Sequence, residues 1–303
     1  MNVQVRLPGR ARQWVEAALG GGARIVSAQQ LRGGLSSVVH KLTIERNGET
    51  FGVVLKRPEV DEGEPGDPTH EVRQEALILS RLESFEWAPR LLAVDPSGEV
   101  CGSPAILQTL LHGRTQVAPK AVGRWLRGLS TATHEIATAD IPADDLEPFS
   151  PWLPSSEQPP AWSSSPKQWE QIFTQLHNGL LPEANGQLRF VHRDLHPANV
   201  LFHGPYLSGI VDWVHGCYGP IEVDVSRCRV EIALLAGLEA ADSYLALCTD
   251  LLPTYDPRWD ALVAIELSPW VEDLAECFNA IGAKLTETSV AATLNSFVLQ
   301  NSR

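Results

Sequence analysis

Apolar positions recur along this chain with two periods, and the balance between them changes from one part to the next. From Arg10 to Leu19 they fall at helical spacing, with Trp14, Val15 and Leu19 on one side, and Gly20-Gly21-Gly22 ends the run. Alternating stretches follow at Arg24–Leu31, Ser37–Glu45 and Thr50–Lys56, the last two joined by Asn47-Gly48, a strong hairpin dipeptide. Pro68–Leu82 returns to helical spacing through Val72, Leu77, Leu79 and Leu82. Arg90–Val94 and Pro104–Leu110, across a Pro96-Ser97-Gly98 turn, complete an expected five-stranded sheet. Beyond it, Val117–Ile136 and Lys167–Leu181 read as helices. Val225–Leu299 reads as four more, striped by Leu234-Leu235, by Leu245, Leu247 and Cys248, and by Ala291, Leu294, Phe297 and Val298. The pattern predicts an α+β chain in two parts. Residues 1–110 form a small antiparallel sheet with one key helix, and residues 111–303 form a larger, mainly helical part. No internal repeat is evident.

One stretch breaks the pattern with chemistry. In Phe190–Phe202, FVHRDLHPANVLF, the polar residues His192, Asp194 and Asn199 lie between the apolar pieces Phe190-Val191 and Val200-Leu201-Phe202. Both flanks read as short buried strands, so the polar loop is held by sheet at each end. His-Arg-Asp-Leu, three residues, then Asn is the spacing of a phosphoryl-transfer loop, in which the Asp accepts the proton of an attacking hydroxyl and the Asn holds magnesium. Asp194 is therefore the candidate catalytic residue and Asn199 a candidate metal ligand.

Another short apolar strand, Ser208–Trp213, ends in Asp212, eighteen positions after Asp194. The Gly204-Pro205 turn lets Asn199–Phe202 and Leu207–Val211 form a hairpin, which is expected to bring Asp194, Asn199 and Asp212 to one end of a sheet. Two carboxylates and a carboxamide oxygen are hard ligands that suit magnesium on nucleotide phosphates, and Asp212 is the second candidate metal ligand.

Lys56 closes the strand Phe51–Leu55. A lysine there is ordinarily a solvated side chain, but the third strand of a small sheet is also where a kinase keeps the lysine that grips the α- and β-phosphates. That role needs an acidic partner on the next helix, where Glu71 and Glu75 lie one turn apart; without Lys56 nearby they would be plain surface glutamates. Between the first two strands, Arg32-Gly33-Gly34-Leu35-Ser36-Ser37 can bring backbone N–H groups against phosphate, although glycines in a hairpin are more often simple turn residues. Residues 139–166, rich in Pro, Ser and Trp, are too long for a plain connector and read as either a substrate lid or a surface insertion.

Bulk properties narrow the field without choosing within it. At 303 residues, with 44% hydrophobic and 20% charged positions, the chain can bury a sizeable core and extended disorder is excluded. A net charge of −13 argues against a nucleic-acid surface and is compatible with cationic small molecules. The five cysteines are scattered, with no C-x-x-C pair, so reduced thiols are expected in place of a disulfide framework or a thiolate zinc site. The N-terminal residues are not a secretory signal and no segment approaches a membrane span, so a cytoplasmic protein is expected.

HRDLHPANVLF followed by IVDW resembles the catalytic and metal motifs of the aminoglycoside phosphotransferase family, which is similar to choline and homoserine kinases and shares the protein-kinase-like fold. Arg193 departs from the family, where glycine is frequent. The resemblance implies an ATP-dependent transferase that moves the γ-phosphate to a hydroxyl of an aminoglycoside-like antibiotic, sugar or amino alcohol, with ATP and Mg²⁺ as cofactors. It implies that Gly33, Gly34 and Ser36 belong to a reduced nucleotide loop and that Glu75, with Leu79 and Leu82 at the family's spacing, is the partner of Lys56.

It further implies that Gln108–Gly113 connects two lobes, with adenine bonding to backbone at Thr109 and Leu111, and that Asp224 anchors the catalytic loop through hydrogen bonds. His134 takes a packing or hydrogen-bonding place. Glu266, Glu272, Asp273 and Glu276, around Trp270, form either an acceptor pocket or a solvated helix face. Only six residues, Trp213–Tyr218, separate Asp212 from Gly219-Pro220, too few for the peptide-docking segment of a protein kinase. A catalytically silent nucleotide-binding protein on the same fold is the alternative from a different class.

Overall fold

The computed structural model describes residues 3–31, 37–58, 67–156, 158–184 and 188–300. The chain divides into two compact units, Met1–Gly113 with Ser208–His215, and Arg114–Leu207 with Gly216–Arg303. The first therefore includes a short piece that a simple cut after residue 110 assigns to the second.

In the first unit, α1 (Gly9–Leu19) is followed by β2 (Arg24–Gln30), β3 (Ser37–Arg46), β4 (Glu49–Pro58), α2 (Pro68–Arg81), β5 (Leu91–Asp95) and β6 (Ala105–Thr109). The five expected strands are joined by a two-residue edge strand, β1 (Val3–Gln4), in one antiparallel sheet of order β1-β2-β3-β4-β6-β5. Asn47 (φ 54°) and Gly48 (φ 82°) both take positive φ between the paired Arg46 and Glu49, the geometry that makes Asn-Gly a hairpin turn. Leu42, Ile44, Val53, Leu55 and Leu107 from the sheet pack with Ala11, Trp14 and Val15 of α1 in one buried core. α2 starts where Asp67 caps it, its side chain accepting the Thr69 N–H at 2.9 Å with Pro68 next in line.

The second unit holds α3 (Val122–Thr138), α4 (Pro166–His177), β7 (Leu188–Val191), β8 (Val200–His203) and β10 (Cys217–Pro220). Five α-helices follow: α5 (Glu222–Ala236), α6 (Leu238–Leu247), α7 (Arg258–Leu267), α8 (Val271–Ala280) and α9 (Glu287–Gln300). That is one more than the four expected. Gly237 (φ 86°) separates α5 from α6, and a tight turn at Ser268–Trp270 separates α7 from α8. α3 begins at Val122 and not at Val117, because Pro119 disfavours helical geometry in the residue before it. α4 stops at His177, short of Leu181, where Asn178 and then Gly179 (φ 76°) turn the chain.

The flanks of the polar loop are strands, as expected, but in different ribbons. β7 pairs with β10, whereas β8 pairs with β9 (Tyr206–Ile210) in the hairpin predicted from Gly204-Pro205. Residues 147–149 run beside β10, with Phe149 N–H donated to Tyr218 O and Tyr218 N–H to Glu147 O, both at 2.8 Å. All five cysteines are free thiols, and no described helix is long and apolar enough to cross a membrane.

Candidate active site

The first unit brings Lys56, Glu75 and Asp212 together. Lys56 is opposite Val39 of β3 and Ile106 of β6, so its strand lies inside the sheet and the side chain is only 5% exposed. Its Nζ donates to Glu75 Oε2 at 2.8 Å and also to Asp212 Oδ1. Glu75 is 2% exposed on the buried stripe of α2, between Val72 and Leu79, while Glu71 is half-buried one turn earlier. Helical spacing alone left the two glutamates open; the structure pairs Lys56 with Glu75. Burial by itself would lower the Lys56 pKa, but the Asp212 and Glu75 carboxylates outweigh it and raise it, so the ammonium stays charged.

Asp212 is held in the left-handed region, at φ 69°. Such a conformation costs about 1–3 kcal/mol for a side-chain-bearing residue and survives only where its neighbours enforce it. Here Ile210 N–H donates to Trp87 O at 2.7 Å, and the fully buried Trp213 donates Nε1–H to Ile210 O at 3.0 Å. The Trp213 ring lies 5.6 Å from that of Trp87. The backbone on both sides of Asp212 is thus tied to one anchor.

Thr109 and Leu111 belong to the same unit. The Thr109 N–H is donated to Arg90 O at 2.9 Å, and Thr109 Oγ1 accepts the Arg90 N–H at 2.9 Å. Leu110 and Leu111 rest on Gly52 of β4 and Gly209 of β9, where any Cβ would collide with their side chains. Gly33, Gly34 and Ser36 lie outside the described residues.

The second unit brings Asp194 and Asn199 together on the loop between β7 and β8. Asn199 Nδ2 donates to Asp194 O at 3.0 Å and faces Asp194 Oδ2 at 3.4 Å, which leaves its Oδ1 as the atom suited to a cation. The loop hangs from Asp224, fully buried in the first turn of α5. Its Oδ2 accepts the His192 N–H and its Oδ1 the Arg193 N–H, each at 2.8 Å. This is the anchoring place expected for Asp224. Burial pushes its pKa up to about 7, against the lowering effect of the two N–H donors.

Three side chains to which sequence reasoning gave no role close a ring with Asp194. Arg227 Nη2 is 2.9 Å from Asp194 Oδ1 and 3.0 Å from Glu231 Oε1. Glu231 Oε2 is 2.9 Å from His196 Nδ1, and His196 Nε2 is 3.6 Å from Asp194 Oδ2. Burial lowers the His196 pKa, but Glu231 and Asp194 outweigh it and push it up to about 10, so the ring of four alternates −, +, −, +. The sequence carried only the spacing, and the burial comes from the structure. Arg227 and Glu231 are four apart on one face of α5, whose residues Glu222–Leu234 are all buried, and paired charges inside a buried helix mark a specific role.

Arg193 sits at φ 71°, where glycine is easier, and its side chain is 3% exposed. Its guanidinium donates to both oxygens of Glu266, at 2.7 and 3.0 Å, and to Ser150 O at 3.1 Å. It also stacks on Trp152, 3.8 Å from the ring centroid, while Trp152 N–H donates to Glu266 Oε1 at 2.8 Å. Glu266 is thereby withdrawn from the expected carboxylate cluster: it is 4% exposed and charge-paired, whereas Glu272 and Glu276 are exposed on α8. The stretch 147–152 is pinned at both ends, so this part of the candidate lid is not a loose flap. His134 packs as expected, its Nδ1 at 2.7 Å from Ser130 O and its Nε2 at 2.8 Å from Asp250.

Among the described residues no group of three or more His, Cys, Asp or Glu is placed to hold a metal alone. Asn199 in the second unit and Asp212 in the first each carry an oxygen of the hard kind that magnesium accepts.

Residues 27–262 match the model of APH, the phosphotransferase enzyme family. Homoserine kinases of Rhizobium rhizogenes and Brucella ovis are each 28% identical over 144 residues, which covers 43% of this chain and 42% of theirs. The chain thus spans about two fifths of the length of these curated relatives. The crystal structure of aminoglycoside phosphotransferase APH(4)-Ia is similar at TM-score 0.62 and 16% identity, over 96% of this chain and 98% of that one. The gentamicin–APH(2")-IIa complex is similar at 0.58 and 14%, over 98% and 97%. The fold is that of these kinase-like proteins.

Proposed function

This chain belongs to the phosphotransferase enzyme family, and we propose that it moves the γ-phosphoryl group of ATP to a hydroxyl of a small molecule. The observation that carries this reading is the buried ammonium of Lys56 between Glu75 and Asp212, a charged group that a purely structural sheet has no reason to keep. In this role Lys56 holds the α- and β-phosphates, Glu75 fixes the direction of Lys56, and Thr109 and Leu111 meet the adenine through backbone atoms. Asn199 and Asp212 would each lend an oxygen to magnesium, which when bound would neutralise charge on the phosphate oxygens. Asp194 orients the acceptor hydroxyl and takes its proton as the new O–P bond forms and the bond to the ADP oxygen breaks. Most of the rate enhancement then comes from positioning and charge stabilisation.

For the acceptor, the homoserine kinase relatives favour an amino alcohol, and structures of similar fold bound to hygromycin B or gentamicin favour an amino sugar. Both are hydroxyl compounds carrying cationic amines, which suits a chain of net charge −13. The test is to screen amino alcohols, sugars and aminoglycosides for acceptor-dependent ADP release with Mg-ATP, using Asp194→Ala as the control. The variant should lose about 10²–10⁴-fold in turnover while still binding nucleotide. Near-wild-type turnover in Asp194→Ala would sink the assignment.

A further inference from the structure

We propose that Arg227, fixed from beneath by Glu231, is the positioning residue for the Asp194 carboxylate. The inference rests on the reading of Asp194 given above and adds to it a residue outside the loop motif.

Within its own loop this carboxylate is faced by Asn199. Asn199 reaches Oδ2 only at 3.4 Å, and the Asp194 N–H bond to His192 Nδ1, at 3.3 Å, constrains backbone and not side chain. A shorter contact comes from outside the loop, an ion pair from Arg227 Nη2 to Oδ1 at 2.9 Å. Arg227 is itself 8% exposed and cannot swing away into water without leaving Glu231, which is wholly buried, without its guanidinium. His196 closes the ring from the other side, 2.9 Å from Glu231 and 3.6 Å from Asp194 Oδ2, with its own ring edge-on to Phe278.

Each carboxylate therefore has two cations and each cation two carboxylates, so no member can rotate without separating charges in a buried place. A guanidinium suits this buried place better than an ammonium, because it is more weakly hydrated and stays charged. The effect on function is to hold the carboxylate in a single orientation toward the incoming hydroxyl. A misplacement of about 1 Å at such a site can cost about 10²-fold in rate.

The experiment is a double-mutant cycle on turnover. ADP release is measured with Mg-ATP, with water serving as acceptor until a better one is found, for the wild type, R227M, D194N and R227M/D194N. R227M should lower kcat by about 10²-fold with KM for ATP unchanged, and should add less than about twofold in the D194N background, because its action passes through Asp194. Millimolar guanidinium should restore part of the R227M loss and none of the D194N loss. R227K, which keeps the charge but shortens the reach, should fall between wild type and R227M, and it replaces R227M in the cycle if that variant does not fold.

Wild-type kcat in R227M or R227K, or an equal loss in both backgrounds, overturns the role given to Arg227 and leaves the phosphotransferase reading standing. Wild-type turnover in D194N overturns that reading, and the present inference with it.

Discussion

Replacing Lys56 by Met separates what the buried ion pair does for folding from what it does for nucleotide. The substitution is close in volume, so the main change is electrostatic. It strips Glu75, 2% exposed, of the ammonium at 2.8 Å, and leaves a carboxylate in the interior of α2. Removing one partner of a buried pair costs about 3–5 kcal/mol. Asp212 also loses its ammonium but adds less, since its side chain is 32% exposed and water screens it. With about 2–4 °C in Tm per kcal/mol, K56M should melt on the order of 6–20 °C below wild type by calorimetry.

The informative arm is K56M/E75L, which removes both charges together. Replacing a buried pair by apolar residues of similar size is often neutral or stabilising, so the double variant should regain most of the lost Tm. Its affinity for Mg-ATP, measured by titration calorimetry, should remain as poor as that of K56M. A single variant that melts like wild type would mean the pair is not buried as described. A double variant that recovers nucleotide binding along with stability would show that the ammonium serves only the fold.

Asp212→Ala should abolish the magnesium dependence of nucleotide binding; a titration showing unchanged Mg-ATP affinity would exclude the role given to Asp212. His196, with its pKa raised from 6.5 to about 10, contributes stability that is complete below pH 6.5 and is lost as pH rises toward 10. Chemical denaturation across that window should show wild type losing stability relative to H196Q by up to about 1.4 kcal/mol per pH unit, and parallel curves would refute the ion ring. R193G relieves the φ of 71° at a gain of about 1 kcal/mol but leaves Glu266 buried without its guanidinium, a loss of about 3–5 kcal/mol. The net effect should be a lower Tm, with faster proteolysis near Ser150–Trp152; an R193G protein as stable as wild type would mean the clamp contributes nothing.

Much of this protein was legible in one dimension, where the determinants are local. Apolar period, Asn-Gly at a hairpin and glycine after a helix depend on neighbours a few residues away, so the antiparallel sheet, α2 and the paired strands around Gly204-Pro205 follow from reading along the chain. The loop His192–Asn199 was legible for the same reason, since its polar residues stand between two strand patterns along the chain. Helix starts and the count of C-terminal helices were less so. A proline or glycine marks where a helix can break, and packing decides whether it does, as at Pro119 and Gly237.

What only the tertiary structure decided was the pairing of charges. Glu71 and Glu75 are equivalent by helical spacing, and burial against Lys56 distinguishes them. Glu266 looked like one of four solvated carboxylates, yet it is the buried partner of Arg193, seventy-three residues away. Arg227 and Glu231 carried no motif at all. Coulomb energy depends on distance in space and on the local dielectric, and neither is a function of separation along the chain. The amino-acid order therefore determined which residues could do the chemistry, and the packing of α5 and α7 on the loop decided which of their charges hold those residues in place.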